Sequence, residues 1–290
     1  MEQLRGRNAL ITGAAGGLGG YIARALAAEG VNLVLSDLPE APLDELIAEL
    51  QGVGIEVESV PANLMERDEA EGLVARAEDA LGPLDILVNN AGLEFGGPFL
   101  ERTADEIEAL TRVNLLALML ITRSAMPGMQ ERGRGHVVNI ASLAGKTSFP
   151  YLATYCASKH GVVGFTHSLR AEYGDEPVGF SAICPGFISR VGMFGRLQDR
   201  VGEPPGPVRT LPPERVGEAV VKAIRGSRAE VIVNPPGARP LILLGAMAPR
   251  TAARIGRSRR MREFAERFAQ EKGRAPRTLA EERAAPRTPD

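Results

Sequence analysis

The chain is poor in the residues that build cross-links and metal centres. Its 290 residues include only two cysteines, Cys156 and Cys184. Two cannot make a disulfide framework, and neither has metal-ligand spacing, so both are expected as reduced thiols. The three histidines, His136, His160 and His167, are too scattered for a zinc site, although His160 and His167 can share a helix face. No catalytic metal is expected. The first strand begins within eight residues of Met1 with no apolar stretch ahead of it, so no secretory signal is expected. The apolar run at 241–244, continuing to Ala248, is too short to span a bilayer. Together these features point to a cytoplasmic chain.

What the chain does have is an ample apolar share, 44% of residues, and an uneven charge distribution. Lys and Arg number 34 against 36 Asp and Glu, for a net charge of −2. Residues 250–290 hold twelve basic and six acidic residues, so that segment carries +6 and the rest −8. Short aliphatic and β-branched runs at 9–12, 32–36, 56–60, 85–89, 136–141, 180–184 and 230–233 read as strands. Between them, 18–29, 43–50, 67–81, 104–130, 154–173 and 213–225 have helical apolar spacing. Strict alternation of the two implies an α/β fold with a doubly wound parallel sheet of about seven strands and helices on both faces. Ligands of such a sheet bind beyond the carboxyl ends of its strands.

The run Asn8–Thr12 leads into Gly13, Ala15, Gly17, Leu18 and Gly19, a strand followed by a glycine-rich turn and a helix. Glycines permit the tight turn, and the free N–H groups of the helix can meet a pyrophosphate. The spacing G-x-x-x-G-x-G is weak on its own, because a strand-to-helix turn can need glycine merely to close. Eighteen residues beyond Gly19, however, the second strand ends in Asp37-Leu38, where a carboxylate can hydrogen-bond the adenosine ribose. Asn63-Leu64 after the third strand and Asn90-Ala91-Gly92 after the fourth complete a dinucleotide pattern. The amide of Asn63 suits an adenine edge, and Ala91-Gly92 lets the backbone approach a ribose. A carboxylate at Asp37 cannot comfortably share space with a 2′-phosphate, which implies NAD as the cofactor.

Tyr155 and Lys159 stand four apart on a predicted helix, which puts an ammonium beside a phenol. A fixed cation there would lower the phenol pKa and make Tyr155 a general acid/base. Ser142 lies thirteen residues earlier.

In the order and approximate spacing of these residues, with Asn114 and Pro185-Gly186, the sequence resembles the short-chain dehydrogenase/reductase family over about residues 5–236. The resemblance implies a single Rossmann-type domain, an NAD(P)-dependent oxidoreductase, and a homodimer or homotetramer. It implies that Ser142 orients the substrate oxygen, that Lys159 also binds the nicotinamide ribose, and that Asn114 holds a water of the proton relay. Two positions depart from the pattern: Asn63 stands where Asp is usual, and Arg190 follows the Pro-Gly turn where Thr is common. Nicotinamide carboxamide contacts then rest on Ile188 and Ser189. The expected partner is a small-molecule alcohol or ketone, with no nucleic acid. Phe95, Phe99, Leu143, Phe149, Tyr151, Phe187, Met193 and Phe194 could line an apolar pocket or belong to the core. Arg190 and Arg196 could read a carboxylate. An NAD(H)-binding redox sensor and a nucleotide-sugar epimerase are the competing readings. Intact Ser142, Tyr155 and Lys159 argue against the first, and the short basic remainder after Val233 against the second.

The organisation expected is a dinucleotide-binding and catalytic domain over 1–239, with a Gly/Pro-rich substrate lid at 187–213. A basic helical extension over 240–272 is either a solvated helix or a lid, a subunit contact or a weak anionic-membrane contact. Residues 273–290 are expected to be disordered.

Overall fold

The computed structural model of the protein describes residue 1 and residues 3–205, 209–235, 240, 248, 250, 254 and 258–274. Its sheet contains β1 (Asn8–Thr12), β2 (Asn32–Ser36), β3 (Val57–Ser59), β4 (Ile86–Asn89), β5 (Gly135–Ile140), β6 (Val178–Pro185) and β7 (Glu230–Val233). All pairs are parallel, in the order β3-β2-β1-β4-β5-β6-β7. Helices cover both faces, so the central strands read as near-continuous apolar runs and not as alternating ones. One face packs against Ile22 and Leu26 of α1 (Gly19–Ala28), Leu50 of α2 (Asp44–Gln51) and Val220 and Ile224 of α9 (Glu214–Arg225). The other packs against Leu73 of α3 (Arg67–Leu81), Ile121 and Met129 of α5 (Leu118–Glu131) and Val162 of α6 (Ala153–Glu172). Each such aliphatic side chain stabilises the fold by about 1.5–3 kcal/mol. Strand order reverses between β1 and β4, which opens a crevice at the carboxyl ends of the strands.

The structure corrects several boundaries. The strand expected at 56–60 is only Val57–Ser59 at the sheet edge, whereas β6 runs longer than 180–184. The helix expected over 104–130 is divided into α4 (Ala104–Thr111), a π-helical turn (Arg112–Ala117) and α5. A capping box, Thr103 with Glu106, starts α4. The span Ala104–Glu131 is long and apolar enough to cross a membrane, but half of its most apolar window is buried inside the protein, as in a core helix. The expected lid holds two short helices, α7 (Gly192–Gly195) and α8 (Gln198–Val201). In the extension, α10 (Arg259–Arg274) buries Phe264 and Phe268 against Phe194, Leu197 and Val201 of the lid. Residues 273 and 274, expected in a structureless tail, complete that helix. Residues 241–244 and 275–290 lie outside the described residues.

Candidate active site

The glycine turn after β1 is held by geometry that excludes side chains. Gly13 has φ +65°, and a Cβ on it would sit 2.7 Å from Ala91 Cα. That close approach ties β1 to β4. Thr12 Oγ1 accepts from the N–H groups of Asn90 (3.0 Å) and Ala91 (3.1 Å), and Asn90 Nδ2 donates to the carbonyls of Thr12 (3.0 Å) and Gly13 (2.9 Å). The Asn90 side chain, expected on the cofactor, thus braces the turn. A Cβ on Gly19 would overlap the Gly13 carbonyl, and one on Gly17 would overlap the backbone of Gly192. The lid therefore rests on the glycine turn. Leu18, the N-cap of α1, supplies no side-chain bond, and the first helical N–H, that of Gly19, donates to the Gly16 carbonyl at 3.1 Å within the turn.

Asp37 at the end of β2 accepts from the N–H groups of Ala15 (2.9 Å) and Leu38 (2.8 Å). Asn63 Oδ1 accepts from Met65 N–H at 3.1 Å in a local turn, which leaves its Nδ2 to meet an adenine edge. The Leu64 side chain packs into the core beneath α3, so only its backbone can serve a ligand. Beyond β6, Pro185-Gly186 leads to Ile188, which is buried and forms a β-bridge with Leu211. Arg190 has φ +64° and donates to both carboxylate oxygens of Glu214 at 2.9 Å, so a substrate carboxylate would have to compete with that pair. Arg196 donates to the carbonyl of Gly192.

The structure brings Ser142, Tyr155, Lys159 and Asn114 together. Ser142 follows β5 and accepts from Ala144 N–H at 3.1 Å, while sharing a hydrogen bond with Tyr155. Tyr155 and Lys159 lie one turn apart on α6, with Lys159 Nζ 5.8 Å from the phenol ring centroid. Burial raises the Tyr155 phenol well above its ordinary value, the Glu94 carboxylate adds to the rise, and the bond to Ser142 opposes it. Burial also brings the Lys159 ammonium down to about 8. Its Nζ is turned to the Ile140 carbonyl, 2.8 Å away. The lysine is not among the groups that shift the phenol, so the expected lowering is not seen in this structure: burial is the largest cause of both shifts, upward for Tyr155 and downward for Lys159.

Asn114 lies in the π-helical turn and is 1% exposed. Its Oδ1 accepts from Leu93 N–H (2.7 Å), and its Nδ2 donates to Leu93 O (2.9 Å) and Ser158 Oγ (3.2 Å). Ser158 Oγ in turn donates to the carbonyl of Tyr155. The side chain of Asn114 is thus engaged in fixing the loop after β4 and the catalytic turn of α6. A water of the relay would have to be held by the backbone that the π turn frees. Gly92 faces this cluster, with a built Cβ 3.3 Å from Asn114 Oδ1 and 3.6 Å from Lys159 Nζ.

Glu94 and Ser158 escaped the sequence reading. Neither has a periodic or motif signal, and each acquires its role only when α6 meets the loop after β4. Of the eight candidate pocket residues, Phe95, Phe149 and Met193 pack around Tyr155, whereas Phe187 and Phe194 join Phe264 of α10. Leu143 packs with Phe149 and Phe187, and the Tyr151 hydroxyl is 3.5 Å from Glu266. Phe99 is exposed. Cys156 is buried beside Tyr155, and burial raises its thiol. The histidines are dispersed: His136 is buried on Ser181 with its pKa brought down to about 3 by burial, His160 bonds the Cys156 carbonyl, and His167 lies 3.4 Å from Glu230. Among the described residues no group of three or more His, Cys, Asp or Glu could hold a metal.

The family model for short chain dehydrogenases matches residues 7–201. A ketoacyl reductase, HetN, of Nostoc sp. is 38% identical over 263 residues, covering 89% of this chain and 90% of its own. Among solved structures, a single-substitution variant of actinorhodin polyketide ketoreductase with NADPH is similar at TM-score 0.72 and 31% identity, over 80% of this chain and 97% of that one. A short-chain dehydrogenase/reductase from Burkholderia phymatum in complex with NAD is similar at TM-score 0.76 and 27% identity, over 87% and 96%.

Proposed function

Because the chain belongs to the short-chain dehydrogenase/reductase family, an NAD(P)-binding group of alcohol and ketone oxidoreductases, we propose that it transfers hydride between NAD(H) and a bulky apolar secondary alcohol or its ketone, with Tyr155 as general acid/base. The observation that carries this reading is the group of buried Tyr155 and Lys159 with half-buried Ser142 at the carboxyl edge of the sheet, beside the glycine turn.

The residues present fit a dinucleotide. The first turn of α1, with no side-chain cap, suits a pyrophosphate, the glycine turn is closed by the contact of Gly13 with Ala91, and Asp37 is an acceptor for a ribose. The bound cofactor supplies or accepts the hydride. In ketone reduction the neutral Tyr155 hydroxyl donates its proton to the developing alkoxide oxygen, and Ser142 Oγ hydrogen-bonds the same oxygen. Lys159, released from the Ile140 carbonyl, stabilises the phenolate that remains and can bind the nicotinamide ribose. In alcohol oxidation the same groups run in reverse. Phe149, Leu152 and Met193, packed around Tyr155, exclude water from the reacting oxygen. A neutral phenol is the form that donates a proton in ketone reduction, and a ketoacyl reductase is among the relatives. Asp37 supports NAD over NADP. A homo-oligomer, a cytoplasmic location and a lid formed jointly by 187–213 and α10 belong to the same reading. So does an anionic-membrane contact, which would be electrostatic because the apolar face of α10 is buried on the lid.

The test is a panel of apolar ketones and alcohols with NADH, NADPH and their oxidised forms, followed at the NADH absorbance. Turnover of ketones with NADH is expected. A pure protein that binds NADH yet turns over no member of the panel overturns the reading in favour of a sensor.

A further inference from the structure

The side-chain amide of Asn234, just past the end of β7 at the carboxyl edge of the sheet, is buried with nothing to bond. β7 alternates its side chains between two faces. Val231 and Val233 pack into the cluster under α1 and α9, whereas Ile232 packs with Leu143, Phe149 and Phe187 on the catalytic side. Glu230, two residues earlier, shares that side and takes the Lys146 ammonium at 2.9 Å. Continuing the period of two places Asn234 on the face of Ile232, just past the end of the strand.

The neighbouring strand places the amide independently. Pro185 pairs with Val233, so Gly186 stands opposite Asn234. A Cβ on Gly186 would sit 2.5 Å from Asn234 Oδ1 and 2.9 Å from its Cγ. Ala182 and Cys184, four and two residues before Gly186, face the side of α5 and α6. The Asn234 amide therefore fills the space over Gly186 where a side chain would project toward the cleft. One residue beyond Gly186, Phe187 begins an aromatic group, meeting Phe149, Phe194 and Phe264 edge-on at centroid distances of 5.9, 4.8 and 5.6 Å.

Asn234 is 9% exposed, and neither its Oδ1 nor its Nδ2 has a hydrogen-bond partner. Native proteins rarely bury a primary amide with both ends unsatisfied, because each loses its water without compensation. A group that costs stability in the free protein and lies in a binding cleft is suited to a ligand.

We propose that Asn234 is a substrate-specificity residue of this enzyme, hydrogen-bonding a second carbonyl function on an otherwise apolar ketone. An amide carbonyl fits best, because it offers an acceptor to Nδ2 and a donor to Oδ1 together. The inference rests on the ketone-reductase reading of the site and names its substrate class as keto amides and related 1,3-dicarbonyl compounds. Asn234 touches no reacting atom in this account, so it governs binding and not chemistry.

The test compares a β-keto amide with a plain ketone of equal length, in the parent and in Asn234→Leu and Asn234→Ala. For both variants KM for the keto amide rises at least tenfold while kcat stays within a few-fold. KM for the plain ketone stays level or falls, and NADH affinity is unchanged. Asn234→Leu melts at or above the parent temperature, since it removes an unsatisfied polar group. A fall of several degrees, or equal changes in KM for both ketones, or no change in either, assigns Asn234 a structural role and overturns the proposal. Calorimetric binding of the same two ketones to the protein with NAD⁺ needs no turnover. If the parent reduces neither ketone, the catalytic reading fails, and loss of keto-amide binding in the variants still decides the role of Asn234.

Discussion

Asp37 Oδ2 accepts the backbone N–H of Ala15 at 2.9 Å, so the carboxylate shapes the glycine turn, and in the proposed reading it would also face the adenosine ribose. A 2′-phosphate there would meet like charge, with no basic side chain at Gly16 or Leu38 to offset it. The clash and the lost ribose bonds together amount to a few kcal/mol, or on the order of a hundredfold preference for NAD. Asp37→Ala is expected to narrow that ratio, mainly by lowering kcat/KM for NADH, because the N–H groups of Ala15 and Leu38 lose their acceptor as well. Placing Arg at 38 in addition should favour NADPH. The parent's kcat/KM for each cofactor with one ketone decides the matter, and equal values mean that Asp37 serves only the turn.

Tyr155→Phe keeps the ring that packs with Leu110, Ala144 and Cys156 and removes only the oxygen. It is expected to fold, to bind NADH with unchanged affinity, and to lose about a hundredfold or more in kcat. Activity within a few-fold of the parent would require another acid in the cleft.

Lys159 allows a stability test whose sign is fixed. Its pKa is about 8 in the folded chain against 10.5 unfolded, so between those values the unfolded state holds more protons and stability rises with pH. Below pH 8 both states are charged and the burial penalty, on the order of 3 kcal/mol at most, is fully present. Lys159→Met should therefore melt higher than the parent at pH 7, and the difference should shrink as pH rises from 8 to 10.5. Taking the difference between the two proteins removes the opposite trend from Cys184, whose thiol burial raises to about 12. Parallel melting curves at every pH would show that Lys159 is solvated in solution.

Much of this was legible in the sequence because local pattern and tertiary demand agree. Fully buried strands such as β4 must be aliphatic, and the turn at Gly13 has room for no other residue, so both leave a mark in the sequence. The π turn at Arg112–Ala117 left none, since its residues continue the apolar spacing of a regular helix. The upward shift of the Tyr155 phenol is illegible in the sequence for a different reason. An i,i+4 spacing shows that Lys159 is near, but not that burial outweighs its charge or that Ile140 captures the ammonium. Asn234 depends on register between β6 and β7, a relation between distant segments that one sequence read alone does not contain.

The lid contact at Gly17 has a dynamic consequence. Because Gly192 lies against the glycine turn and Arg190 is held at φ +64°, a dinucleotide entering the turn must lift a strained segment. Hydrogen exchange at 189–201 is expected to change on addition of NADH, while the buried strands β4 and β5 remain protected. An exchange pattern in the lid that is indifferent to cofactor would show that the turn fills without moving it.

In the proposed reading, the aromatic contact between the segment 187–213 and α10 would link the extension to substrate binding. Phe264 lies 5.6 Å from Phe187 and 6.2 Å from Phe194, and Arg200 of α8 pairs with Glu271 at 3.3 Å. Removing a buried phenyl ring costs about 3–5 kcal/mol where the site cannot collapse, and here that loss falls on the closed state of the lid. Phe264→Ala is therefore expected to raise KM for bulky ketones about tenfold or more, to affect small ketones less, and to leave NADH affinity unchanged. Arg200→Ala, which breaks only an exposed ion pair, should alter KM less than twofold. Measuring KM across ketones of increasing size separates the two variants. If Phe264→Ala leaves the size dependence as it is in the parent, α10 packs on the lid without shaping the pocket.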